Sequence, residues 1–348
     1  MTQPERSHPF LQACRGEPTA YTPVWAMRQI GRYLPEYRAV RSRMSLLDLC
    51  KTPEAAAGLA VRTAEVLGVD AAIIFADILL LLEPLGVGVA FAKGEGPVIA
   101  RPVRTLEHVQ RLPDFDPAER VPFVFETVRL MREGLGGRVP LIGFAGAPFT
   151  VASYLVEGRP SQAFLATKRF MRAEPEAWDA LMSRLASLTA RYLNGQIAAG
   201  ADALQLFDSW IGCLSPDDYR RHVLRYTRRV IAAVAPGVPV IHFGVGTAGL
   251  LEAMREAGGD VIGLDWRVDL GRAWDRLGAG VGVQGNLDPA LLLSSPEEVR
   301  RGVRTVLDAA GGRPGHVFNL GHGVLPETPW KHVVAMVDAV HEMSGRRA

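Results

Sequence analysis

Eight short apolar runs, separated by helix-patterned stretches, restrict what this chain can fold into more than any other feature. They read TPVWAM (22–27), DAAIIF (70–75), VPLIGF (139–144), DALQLF (202–207), VPVIHF (238–243), DVIGLD (260–265), VGVQGN (281–286) and HVFNLG (316–321). Short runs rich in β-branched residues, alternating with helical patterns, mark βα units. Helix starts are visible in Thr52-Pro53-Glu54 and Ser215-Pro216-Asp217-Asp218, with Ser or Thr at the cap and Pro in the first turn. Gly68 and Gly200 follow helical patterns as stops. Eight strands in 348 residues match an α/β (β/α)8 barrel, a TIM barrel forming one domain over 1–348. A doubly wound open sheet is the competing architecture. VGVAF (87–91) and the Gly-rich residues after it fit no βα unit, and read as a hairpin insertion near 84–104.

Composition removes several function classes. Net charge is +2, so no global basic field points to nucleic acid, and any anion site must be local. The opening MTQPERSHPF is polar and lacks the apolar core of a signal peptide. AAIIFADILLLL is too short for a membrane span, which needs roughly 18 apolar residues, and Asp77 interrupts it. Cys14, Cys50 and Cys213 are few and far apart, which suits a reducing, cytoplasmic setting.

Polar groups collect just past the carboxyl ends of the runs: Arg28-Gln29, Asp77, Asp208-Ser209, His242, Asp265, Gln284 with Asn286, and Asn319 with His322. In a barrel this end carries the active site. Helix capping accounts for part of the set, with Asp265 and Asn286 the strongest cases, but not for arginine or histidine.

In PVWAMRQIGRYLPEYRAVR (23–41), Pro35 opens a helix through about Arg41, leaving 28–34 as a loop that turns at Gly31. Arg38 and Arg41 share a helix face, and for Arg38 and Arg43 a solvated basic face is the simpler reading. Arg28 and Arg32 leave a strand end, where guanidinium forks suit carboxylates or phosphates. Asp77 is the only polar residue between Ala71 and Leu82. A carboxylate there requires a partner or a function, and a buried ion pair with an arginine is the structural alternative. In GFAGAPFTVASYLVEG (143–158), small residues permit close backbone approach, Pro148 opens a helix, and Tyr154 offers a phenol. His322 stands between glycines in NLGHG, where a structural role competes with a chemical one.

PVWAMRQIGRYLPEYR and GFAGAPFTVASYLVEG resemble the two signature segments of the uroporphyrinogen decarboxylase family. AAIIFADIL, LQLFDSW, VIGLDW, QGNLDP and NLGHG resemble its remaining blocks in order, so the likeness runs from about Tyr21 to Val340. Ile30 departs from a common Ala, Trp210 stands where some members have His, and Arg159 follows the Glu-Gly pair. The resemblance implies a (β/α)8 barrel acting as a homodimer, without cofactor or metal, on uroporphyrinogen. It implies that Arg28 and Arg32 bind carboxylates, that Asp77 faces the pyrrole N–H groups, and that Tyr154, Phe207, Ser209 and His322 line the cleft, with Gln29 and Arg41 assisting. Asp77, Arg28, Tyr154 and His322 are the expected catalytic set. Arg28 is an awkward proton donor, and His322 and Tyr154 have more usual acid chemistry. Corrinoid-linked methyltransferases, which share this barrel, use zinc on a His-x-Cys pair and a later Cys. Here the comparable point is His242-Phe243-Gly244 and no cysteine follows Cys213. A non-catalytic tetrapyrrole-binding protein is the other rival.

Overall fold

The computed structural model of the chain describes residues 8–92 and 96–345; the start of the polar opening segment and the tip of the insertion lie outside them. Seven parallel strands form one sheet: β1 Ala72–Ile73, β4 Leu141–Gly146, β5 Ala203–Asp208, β6 Val240–Gly244, β7 Val261–Gly263, β8 Gly282–Gln284 and β9 His316–Val317, in that spatial order. The insertion is an antiparallel hairpin of its own, β2 Val89–Ala92 with β3 Gly96–Ile99, as the sequence suggested. Its return docks on the end of the helix Pro148–Glu157, where Ile99 N–H reaches Gly158 C=O at 2.8 Å and Val103 N–H reaches Leu155 C=O at 3.0 Å.

The first apolar run departs from expectation. TPVWAM forms no strand; it contributes one parallel bridge, Val24 to Phe318. Val24 C=O also accepts the Asp70 N–H at 2.8 Å, and the Asp70 carboxylate takes the Val24 N–H at 2.7 Å. Val24 therefore links the edge beyond β9 to the edge before β1 and closes the ring of a TIM-barrel-like fold. Asp70 also accepts from Tyr21 and pairs with His341, so one carboxylate ties the seam to the last helix, Trp330–Ser344.

Inside the ring, Trp25 Nε1 donates to Gln284 Oε1 (2.9 Å), and Gln284 Nε2 donates to Gln205 Oε1 (3.0 Å). β5 and β8 are not neighbours, so this chain crosses the interior and fills it below the mouth. Gly68 (φ 66°) and Gly200 (φ 118°) end their helices as expected, and Ser215 caps Asp218 N–H. Thr52 does not cap; its hydroxyl donates back to Asp48 C=O instead.

Candidate active site

A cavity opens at the carboxyl ends of the strands. DAAIIF, VPLIGF, DALQLF and VPVIHF all end in phenylalanine, and Phe75, Phe144, Phe207 and Phe243 all line it. Phe207 meets Phe144 edge-on at 5.5 Å and Phe243 at 6.0 Å, an apolar floor that excludes water. The shared last position of these runs was the available signal for Phe144 and Phe243, which motif reading alone missed.

Asp77 stands in the wall of this cavity. Its Oδ1 accepts the Leu79 N–H at 2.9 Å, a turn that leads into Leu80–Leu82 and leaves the other carboxylate oxygen to the cavity. Burial raises its pKa, and the Leu79 hydrogen bond and the Arg28 charge only partly offset this. No ion pair joins Asp77 to an arginine among the described residues, so the structural alternative of a buried pair is not what the fold contains.

Arg28 lines the cavity from the loop after the Val24 bridge. Its φ is 59°, a left-handed conformation that costs a non-glycine residue about 1–3 kcal/mol. The neighbouring peptides impose it: Met27 N–H donates to Asn319 Oδ1 at 3.0 Å, and Met27 C=O accepts the Val324 N–H at 2.9 Å. Gly323 completes the arrangement, since a Cβ there would lie 2.3 Å from Arg28 Cδ and 2.6 Å from Cγ. NLGHG thus holds the arginine as well as supplying His322, a role that sequence reading did not assign to Asn319 or Gly323.

His322 shares the cavity wall with Arg28 and Gly323. Burial, with Arg28 and Arg267 adding to it, lowers its pKa to about 4. At neutral pH it is a neutral imidazole, able to donate or accept a hydrogen bond but not stored as an acid. Tyr154 is pushed the other way, to about 12, by burial and by Asp77, so its phenol keeps its proton. The Tyr154 ring packs edge-on against Trp210 at 5.8 Å and lines a second cavity with Arg159 and Phe164, outside the lining of the main one where the resemblance had put it. Ser209 faces the main cavity.

Three other expected residues sit differently. Gln29 is fully buried, with Oε1 turned back toward Ala26 N–H and Nε2 without a partner. Arg32 is exposed on the loop, outside the cavity lining. Arg41 donates to Met44 C=O and stands beside Cys50, also outside the lining. Arg38 lies on the exposed helix face as read, but its guanidinium also binds the carbonyls of Arg32 and Tyr33 and so braces the loop.

Asp208 and His242 do not face the mouth. The adjacent Phe207 and Phe243 take the inward positions, and the two polar residues pack between sheet and helices, 3.7 Å apart and fully buried. Thr150 bonds Asp208 at 3.0 Å and accepts the Trp210 N–H at 3.2 Å, fixing the turn that carries Ser209. Asp265 and Asn286 cap no helix. Asp265 accepts from Arg267 and Gly246 N–H groups, and Asn286 Nδ2 donates to the carbonyls of Asp265 and Val268, so both brace one loop. Among the described residues no group of three His, Cys, Asp or Glu side chains could hold a metal ion, and no helix is long and apolar enough to cross a membrane.

A family model described as uroporphyrinogen decarboxylase (URO-D) matches residues 5–343, through every element that builds this site. The chain belongs to the uroporphyrinogen decarboxylase family. Among relatives of the uroporphyrinogen decarboxylase name, the Sorangium cellulosum protein is 56% identical over 335 residues, covering 96% of each chain. The Carboxydothermus hydrogenoformans protein is 53% identical over 336 residues, again covering 96% of each. A methyltransferase from Methanosarcina mazei has a solved structure that superposes with a TM-score of 0.82 at 22% identity, covering 96% of this chain and 97% of its own. That likeness shows the shared fold alone.

Proposed function

We propose that this chain is a carboxy-lyase that removes CO2 from the four acetate arms of uroporphyrinogen III, leaving methyls and giving coproporphyrinogen III in tetrapyrrole biosynthesis. The observation that carries the reading is Asp77, a carboxylate with one oxygen free in the wall of a phenylalanine-floored cavity, with Arg28 in the same wall.

Losing CO2 from an acetate on a pyrrole leaves an electron pair that needs a sink. Protonating the ring carbon beside the one that bears the arm makes the pyrrole cationic, with the arm-bearing carbon conjugated to the C=N+ group. The C–C bonding pair then flows into that cation as CO2 departs, leaving an exocyclic C=C. Its terminal carbon takes a proton to become the methyl while the ring carbon gives back the first proton and the pyrrole regains its aromaticity. No external electron sink is required. Asp77 accepts the pyrrole N–H groups, and its ionised form, disfavoured by burial, gains most when the ring turns cationic. That is stabilisation specific to the transition state. Arg28, fixed by its backbone, holds a carboxylate in register. Tyr154, Ser209, Phe207 and neutral His322 orient the macrocycle, and Arg32, Gln29 and Arg41 support the loop or meet outer carboxylates. The family resemblance supports one catalytic domain, a homodimer and a cytoplasmic setting.

Anaerobic incubation with uroporphyrinogen and measurement of released CO2 and of the tetracarboxylic product tests the reading. Binding without CO2 release would favour the non-catalytic tetrapyrrole-binding alternative.

A further inference from the structure

The proposed substrate carries four acetates and four propionates around its ring, whereas Arg28 and Arg32 belong to a single loop. We infer that Arg267, on the loop after β7, is a second carboxylate anchor that takes a ring substituent across His322 from Arg28; this rests on the decarboxylase reading above.

Topology sets the positions. Around the ring the order runs Val24, β9, β8, β7. His322 follows β9, so its loop lies between the one carrying Arg28 and the one carrying Arg267. Both charges reach the His322 ring, and both pull its pKa down. Trp266 meets His322 edge-on at 6.0 Å, and the Arg267 guanidinium lies 3.7 Å over the Trp266 ring. The guanidinium is therefore one aromatic ring removed from a residue that lines the cavity, at its rim.

The arginine is also preorganised. Asn286 holds the Asp265 and Val268 carbonyls at 2.8 and 2.7 Å, and the Asp265 carboxylate takes the Arg267 N–H at 2.8 Å. Gly321 packs so closely that a Cβ would lie 2.1 Å from Trp266 N. Stacking and this bracing reduce the entropy lost when a ligand binds. Several exposed arginines pair with carboxylates on neighbouring helices, as Arg220 does with Glu256 and Arg276 with Glu252. The Arg267 partner is Asp265, at 3.4 Å, whose oxygens already serve two backbone N–H groups. The side chain remains 54% exposed, with the rest of its donor fork open to a carboxylate.

Arg267→Gln keeps the stem on Trp266 and a hydrogen-bonding end while removing the charge. Steady-state decarboxylation of uroporphyrinogen at low and high ionic strength is compared with the unaltered protein, with melting curves confirming the fold. The expected result is a KM raised about tenfold at low salt, kcat within about twofold, and a gap that narrows as salt screens the rim. An unchanged KM, or a KM raised by the same factor at every ionic strength, overturns the inference. A parent protein that releases no CO2 overturns instead the decarboxylase reading, so the two failures are distinct.

Discussion

Gly323→Ala tests whether the placement of Arg28 governs turnover. The new methyl would lie 2.3 Å from Arg28 Cδ, 2.6 Å from Cγ and 3.0 Å from Cβ, whereas ordinary contact begins at 3.4 Å. Relieving the worst contact moves the arginine side chain by about 1 Å at Cδ, and a misplacement of about that size costs roughly a hundredfold in rate. The backbone cannot yield easily, because the Met27 peptide is bonded on both sides, to Asn319 and to Val324. Rotation about the side chain must absorb the clash and swing the guanidinium out of register. Stability should hold within about 1 kcal/mol, because Gly→Ala stiffens the unfolded chain and the clash falls on an exposed side chain that can rotate, not on backbone. The assay is kcat/KM for CO2 release beside a thermal melt. Gly321→Ala is the contrast: its Cβ would meet Trp266 backbone, not a side chain, so that variant should lose stability. A well-folded Gly323→Ala enzyme with the parent kcat/KM would refute the assignment of Arg28 to the reacting carboxylate.

Asp77→Asn keeps an oxygen for the Leu79 N–H, so the melting temperature should hold while the single-turnover rate falls by about 10²–10³; an unstable variant whose folded fraction turns over normally would make Asp77 structural. The His341 hydrogen bond to Asp70, only partly offset by burial, raises the His341 pKa above 6.5. A raised folded-state pKa stabilises fully below 6.5 and is lost as pH climbs through the higher value, so the parent melting temperature should fall over that range more than that of His341→Gln. Parallel curves would remove the pair from the seam's stability. Strong chelators should leave CO2 release unchanged, and activity lost to EDTA and restored by zinc would contradict the proposed chemistry.

The barrel was legible because its runs repeat, and Arg28, Asp77, Ser209, Phe207 and His322 were legible because they sit at strand ends inside specific motifs. The direction each strand residue points was not. Strands buried on both faces carry no polar alternation, so nothing in DALQLFD or VPVIHF tells whether Asp208 and His242 look inward or outward. The structure turns both toward the helices and gives the mouth to phenylalanines. Gly323 and Arg267 escaped for another reason: their importance lies in a contact with a side chain or a ring brought close by the fold.

The bridge at Val24 also bears on the order in which a newly made chain can become an enzyme. The segment carrying Arg28 is made long before the groups that fix it, Phe318, Asn319 and Val324, for Met27 and Asn319 stand 292 positions apart. Contacts this distant in sequence form slowly and late. Until NLGHG is made, the bonds to the Met27 peptide and the Gly323 contact that place Arg28 are missing, so a nascent chain stopped before it lacks the constraints that orient the guanidinium. The constraints on Arg28 are complete only when NLGHG has docked against the segment around Val24.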